Sequence, residues 1–325
     1  MKISNRVYLY FICFLGLANF GNSQQSSLSS LAYKDKYRIN PAYAGMEGTL
    51  MGSAVYRNQW QNLSGHPQGI DVSVHFPVYQ WGSAFGMLLG QDELGLERHL
   101  FIKPSFHKVS RINDLLFTAG IQAEFNWISF SSESARTPEG NYQGQNLDHK
   151  DPAISNQAGS IGLIDIGLSV YLTWHRFQGG LSVEKLLQSK NGSQPFPWSN
   201  KRCIKAIGST EFDWLNLKFQ AQVLLYSDFI KVQTDLFSGF EYNGSIFGGI
   251  HFRGYDGNSL ESLGLSLGFS LSKNIQVAYC HEFYIGPIPV NYIAGNQEIG
   301  FFYNFGKAFG LGKPPRIIHS PRYSD

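Results

Sequence analysis

An all-β fold, a transmembrane antiparallel barrel of about 14 strands, is what this chain predicts, and three observations predict it. Leu115, Phe117, Ala119, Ile121, Ala123, Phe125 and Trp127 alternate with Leu116, Thr118, Gly120, Gln122, Glu124 and Asn126. That period of two suits a strand with lipid on one face and a lumen on the other. The pattern recurs along nearly the whole chain behind an apolar leader, while no later apolar run approaches the roughly eighteen residues of a spanning helix. Hydrocarbon admits only helices and closed barrels, because every backbone polar group there needs an internal partner. Composition agrees: 35 Gly, 17 Tyr, 25 Phe and 6 Trp stand beside only 15% charged residues, a supply of girdle aromatics and of glycines that relieve crowding.

The first element is a signal peptide over 1–23. Lys2 and Arg6 form its charged start, Val7 to Phe20 its apolar run, and Gly21-Asn22-Ser23 a small-residue cleavage site before Gln24. The run is too short for a comfortable span of about twenty residues, and no Cys follows it to carry a lipid anchor. Removing Lys2 and Arg6 from the 26 basic residues leaves them equal to the 24 acidic ones, a neutrality that argues against a nucleic-acid partner. Cys13 departs with the leader. Cys203 and Cys280 fall in strands placed far apart and read as small buried hydrophobes rather than a disulfide.

Residues 24–49 form a periplasmic N-terminal segment in this reading. Its block Asn40-Pro41-Ala42-Tyr43-Ala44-Gly45 is punctuation: Pro41 holds Asn40 extended, Asn can cap or turn, and Gly45 permits a reversal. The block serves either as a turn fastening the segment beneath the barrel or as a docking surface for periplasmic machinery.

The barrel itself occupies 50–305. Strands are expected near 50–60, 68–77, 82–91, 96–107, 113–128, 160–174, 176–185, 201–211, 215–226, 229–240, 244–253, 262–271, 274–284 and 297–305. With a periplasmic N-terminus, the connections 78–81, 108–112, 175, 212–214, 241–243 and 272–273 are short, and the long ones, 129–159, 186–200, 254–261 and 285–296, fall outside. Short inner turns and long outer loops are the bacterial rule. Inward positions mix Arg57, His75, Lys103, His107, Lys218, Lys231 and Arg253 with Asp71, Glu97, Glu124, Asp165, Glu184, Asp235 and Glu282. Mixed signs point to internal salt bridges or a bound plug rather than an ion-selective pore, in a barrel sized between side-chain-filled and water-filled ones.

Asn40-Pro41-Ala42-Tyr43-Ala44-Gly45, then Arg57, Gln59 and Trp60, then Gly65 and Pro67, resemble the PorP/SprF family of type IX secretion system outer-membrane proteins of Bacteroidetes. His251-Phe252-Arg253 with Asp256 is similar to that family's YR..D segment. Gly295-Asn296-Gln297-Glu298-Ile299 is similar to its GSHEI, with Gln297 where His is usual, and Pro321-Arg322-Tyr323 to its terminal PR-aromatic ending. The likeness runs from about residue 24 to the end and is poorest over 176–205. It implies a cell-outer-membrane protein that supports secretion or surface attachment of a cognate cargo, such as a large adhesin of the kind tied to gliding motility. The implied partners are secretion components in periplasm and outer membrane, the cargo's C-terminal sorting domain, and outer-membrane lipid. Candidate partner-binding residues are Asn40, Pro41, Tyr43, Gly45, Arg57 and Arg322. Arg57 shares the inner face with Gln59 and reads first as an internal salt-bridge anchor, with a direct partner contact as the lesser reading; Trp60 reads as an outer-leaflet girdle residue.

The last strand carries Glu298, Gly300, Tyr303 and Phe305, a spacing that resembles the barrel-assembly signal of outer-membrane proteins. Beyond it, 306–325 forms a basic, proline-bearing periplasmic tail with Lys307, Lys313, Arg316 and Arg322, free or bound to secretion components.

No catalytic centre, metal or cofactor site is expected. Gly264-Leu265-Ser266-Leu267-Gly268 matches a nucleophile elbow in letters only, because Ser266 sits within an uninterrupted strand rather than on a strand-to-helix turn. Gly310-Leu311-Gly312-Lys313 lacks the remaining residues of a phosphate loop. His99 and His107 share a strand face but stand roughly 26 Å apart. Asp148, His149 and Asp151 read as a solvated loop more than a cation site. The alternative function from another class is a passive porin or channel; an outer-membrane hydrolase is a third, for which no nucleophile and base assemble.

Overall fold

The computed structural model describes residues 29–131, 135–142, 148–150, 158–192, 198–255, 259–285 and 295–307. The signal peptide, Asp151 and Arg322 therefore lie outside the described residues.

Fourteen antiparallel strands close into one barrel. They are β1 Met51–Asn58, β2 Gln68–Val78, β3 Ser83–Leu94, β4 Glu97–Ile112, β5 Leu115–Phe130, β6 Gly159–Trp174 and β7 Phe177–Glu184. After a small ribbon, Lys190–Asn191 with Trp198–Ser199, come β8 Cys203–Trp214, β9 Leu217–Ser227, β10 Val232–Tyr242, β11 Ile246–Tyr255, β12 Ser259–Ser270, β13 Ile275–Tyr284 and β14 Asn296–Asn304. Each strand pairs with its sequence neighbours, and β1 closes on β14 with Met51 opposite Asn304 and Asn58 opposite Gln297. Closure leaves no edge strand whose backbone groups would face hydrocarbon unpaired.

The inside-outside alternation follows the sequence period. In β5, Thr118, Gln122 and Glu124 are buried while Ile121 is 47% exposed, and its cross-strand partner Leu168 in β6 is 54% exposed. Of the charges expected inside, Arg57, His75, His107, Arg253, Asp71, Glu124, Asp165, Glu184, Asp235 and Glu282 are all buried. Lys231 is not: it precedes β10, exposed, where the Asp228 carboxylate accepts its backbone N–H at 2.9 Å. Trp81, Ile112, Trp174, Phe177, Phe212 and Trp214 are exposed around the short-turn end; Trp60, Leu94, Trp127 and Phe283 are exposed toward the long-loop end. Two bands of this kind are the interfacial girdles of a membrane barrel.

Strands run further than the pattern foretold on the long-loop side. β3 and β4 meet through Gly95-Leu96, with Gly95 at φ 60°. The expected loop 254–261 contracts, because β11 and β12 continue past a register shift at Arg253/Gly254; pairing satisfies backbone groups beyond the membrane as well as in it. β7 is short beside the sixteen residues of β6. The chain after it is tied down by Asp165, whose carboxylate accepts the N–H groups of Leu187 at 2.8 Å and Ser189 at 3.2 Å and the Asn200 amide at 3.2 Å.

Candidate functional site in the barrel lumen

Residues 29–49 do not sit beneath the barrel; they occupy its lumen, which corrects the position expected for the N-terminal segment. Local chemistry makes this stretch a run of short capped turns. Ser29 caps a 3-10 turn over Ser30–Tyr33, its hydroxyl accepting the Leu31 N–H at 3.2 Å. Asp35 caps the one-turn helix α1, Lys36–Ile39, and Asn40 caps a second 3-10 turn, Pro41–Tyr43, accepting the Ala42 N–H at 2.9 Å. Proline at the first position of that turn gives up no needed donor. The NPAYAG block is thus punctuation of a buried plug.

The plug meets the wall through charge. Lys34 pairs with Glu241 at 3.2 Å, Lys36 with Glu211 at 3.4 Å, and Arg38 with Asp71. Asp71 is shared with Arg57, whose other arm reaches Asp92 at 2.6 Å. Further round the wall, across the β1–β14 closure, Arg253 holds Asp235 at 2.7 Å and Glu282 at 3.0 Å, and donates to the Ser30 hydroxyl at 3.1 Å. Ser30 also donates to Glu282, and Glu298 accepts the Ser29 hydroxyl at 2.6 Å and the Ser30 N–H at 3.0 Å. A third network, Lys103 with Glu124 and Glu184 and Lys205 with Glu184, braces the wall itself. Buried ions persist only when paired, and removing one partner of such a pair costs about 3–5 kcal/mol. The lumen is therefore keyed to this segment.

Shape agrees. Tyr37 lies against Gly86 and Leu31 against Gly300, so the wall lacks side chains where the plug presses. Tyr33 stacks on Phe237 with ring centroids 4.0 Å apart, and Tyr43 meets Tyr171 edge-on at 5.1 Å. The Tyr37 hydroxyl bonds Ser105 at 2.9 Å, and the Asn40 amide donates to the Val170 carbonyl at 3.0 Å. A methyl at Gly86 would lie 2.5 Å from the Tyr37 ring. Gly86→Ala is expected to destabilise the plugged barrel by about 1–3 kcal/mol through overpacking. Gly162→Ala, whose methyl meets nothing closer than 3.8 Å, is the control. Equal melting of the two variants in detergent would contradict the packing.

Of the candidate partner residues, Asn40, Pro41, Tyr43 and Gly45 are all buried in the plug, and Arg57 is a buried ion-pair anchor behind it. All five are buried while the plug is seated. Ser29, Ser30, Asp35 and Arg38, which sequence reasoning passed over, make the decisive plug contacts.

Among the decoys, Ser266 does have a histidine in reach: its hydroxyl lies 3.1 Å from His251 Nε2. The pair is buried, with Tyr33 and Phe237 against the imidazole, and Ser266 remains inside β12 without the turn that exposes a nucleophile. His149 is buried and lies 3.1 Å from the Tyr142 hydroxyl. Among the described residues no three His, Cys, Asp or Glu side chains gather with metal-binding spacing. Cys203 and Cys280 are buried free thiols.

A closed barrel with an apolar outer belt, aromatic girdles and a polar, plug-filled lumen defines an integral outer-membrane protein. The model of the type IX secretion system membrane protein PorP/SprF family matches residues 21–303, and the chain belongs to that family. It is a barrel component of type IX secretion. Comparison with curated protein sequences gave no match. Among solved structures it is similar to the TodX deltaS2S3 mutant monoaromatic hydrocarbon channel, with TM-score 0.50 and 11% identity over 88% of this chain and 97% of that one. It is also similar to the Ralstonia pickettii toluene transporter TbuX, at 0.48 and 12% over 90% and 100%. A third is the Acinetobacter baumannii outer membrane protein Omp33, at 0.43 and 9% over 79% and 98%. At such identities the likeness concerns the barrel fold alone.

Proposed function

We propose that this barrel supports delivery or surface attachment of a cognate cargo, such as a large adhesin, through contacts with type IX components and the cargo's C-terminal domain. The observation that carries the reading is the plug: a lumen keyed by buried ion pairs to the chain's own segment is suited to holding polypeptide rather than to passing small solutes. In this scheme 1–23 is a signal peptide, removed before Gln24, and 306–325 is a periplasmic tail. With Asn40, Pro41, Tyr43, Gly45 and Arg57 committed to the lumen, the basic tail, including Arg322, becomes the leading candidate for the surface that meets secretion machinery.

Deleting 313–325 tests this. The cut lies beyond the end of β14 at Asn304, so heat-modifiable gel mobility of the barrel is expected to stay normal while surface labelling of the cargo in the same cells falls. Normal mobility with undiminished cargo display would remove the tail from the functional surface.

A further inference from the structure

We infer that the chain enters its own barrel through the long-loop mouth, so that the end preceding Ser29 is presented on the same side as the loops 131–158 and 185–202. The plug's contacts descend from Ser29 to Lys34; Arg38 then reaches back up to Asp71, three residues inside the long-loop end of β2, before the segment runs out at the short-turn rim. Its first described residues, Ser29 and Ser30, bond Glu298, Glu282 and Arg253, each two residues inside the long-loop end of its strand. Tyr33 then packs on Phe237 and His251 at mid-wall. Lys34 meets Glu241 and lies 3.6 Å from the centre of the Phe247 ring, both one residue from the short-turn end. After α1 crosses the lumen, Gly45 abuts Pro77 and Ala84. Leu50 finally bonds across the short-turn rim, its N–H donating to the Lys307 carbonyl at 3.0 Å.

The distances make the exit feasible. Two strand residues rise about 7 Å, and the five residues from a cut before Gln24 to Ser29 reach up to roughly 17 Å. The plug therefore spans the barrel, with one end at each mouth. A polypeptide partner at the long-loop mouth has the plug's leading end within reach, whereas at the other mouth the plug is covalently continuous with β1. The length of the projecting end rests on the proposed cleavage before Gln24; the side of entry does not.

Single cysteines read the topology: Ser26→Cys before the plug, Glu139→Cys in a long loop, and Asp114→Cys in the β4–β5 turn, with the unsubstituted chain as blank because Cys203 and Cys280 are buried. Intact cells are treated with a bulky polyethylene glycol maleimide that does not cross the outer membrane, and again after membrane disruption. All three barrels are first checked for wild-type heat-modifiable mobility. S26C is expected to react in intact cells to the same extent as E139C, with D114C reacting only after disruption. If S26C instead follows D114C, or reacts under neither condition while E139C does, the chain does not enter from the long-loop side and the inference fails.

Discussion

Arginine at Ile121 or at Leu168 is expected to abolish assembly of the barrel. The two residues are cross-strand partners on the outward face of β5 and β6, each about half exposed and flanked by other apolar outward residues. A guanidinium there meets hydrocarbon with no carboxylate in reach, at a cost of roughly 2–4 kcal/mol at the membrane midplane. Such a penalty falls on a strand pair that must insert for the wall to close, so little heat-modifiable barrel should accumulate. Leucine exchanged for Ile121 keeps the same face apolar and should assemble normally. Arginine variants that assemble as well as wild type would show that the inside-outside register is wrong.

The wall was legible in the sequence because lipid on one face and lumen on the other impose a period of two on every strand. That is why β5 and β6 are read directly from Leu115 to Trp127 and from Ile164 to Trp174. Strand ends were less legible: Ser259–Leu260 and Tyr255 extend β12 and β11 through pairing that carries no hydropathy signal above the membrane. Region 176–211 was hardest, since β7 is only eight residues and the chain after it is held by Asp165 rather than by a ladder.

The plug was the main misplacement. Asn40, Pro41 and Gly45 are legible as turn formers, but a turn former looks the same beneath a barrel as within one. Two signals did bear on its site. Leu31, Tyr33, Tyr37 and Ile39 make the stretch too apolar for an exposed periplasmic segment, and all four are buried. Inward glycines at 86 and 300 mark wall positions left empty for something large. The mixed lumenal charges were noted from the sequence, whereas their partners Arg38, Ser29 and Ser30 could be assigned only once chain and wall were seen together.

Planar-bilayer recording tests the plugged lumen most directly. The full-length protein is compared with a variant lacking 24–45, both first shown to be folded by heat-modifiable mobility. Fourteen strands enclose a bore between those of side-chain-filled and water-filled barrels, and residues 29–49 fill it with Tyr37 and Tyr43 and bind its wall through Arg38 to Asp71, which Arg57 also holds. The full-length protein should therefore give little steady conductance, and the folded plug-less barrel should give large, stable steps. Stable steps from the full-length protein, or silence from a folded barrel without its plug, would contradict a lumen closed by the chain's own N-terminal segment.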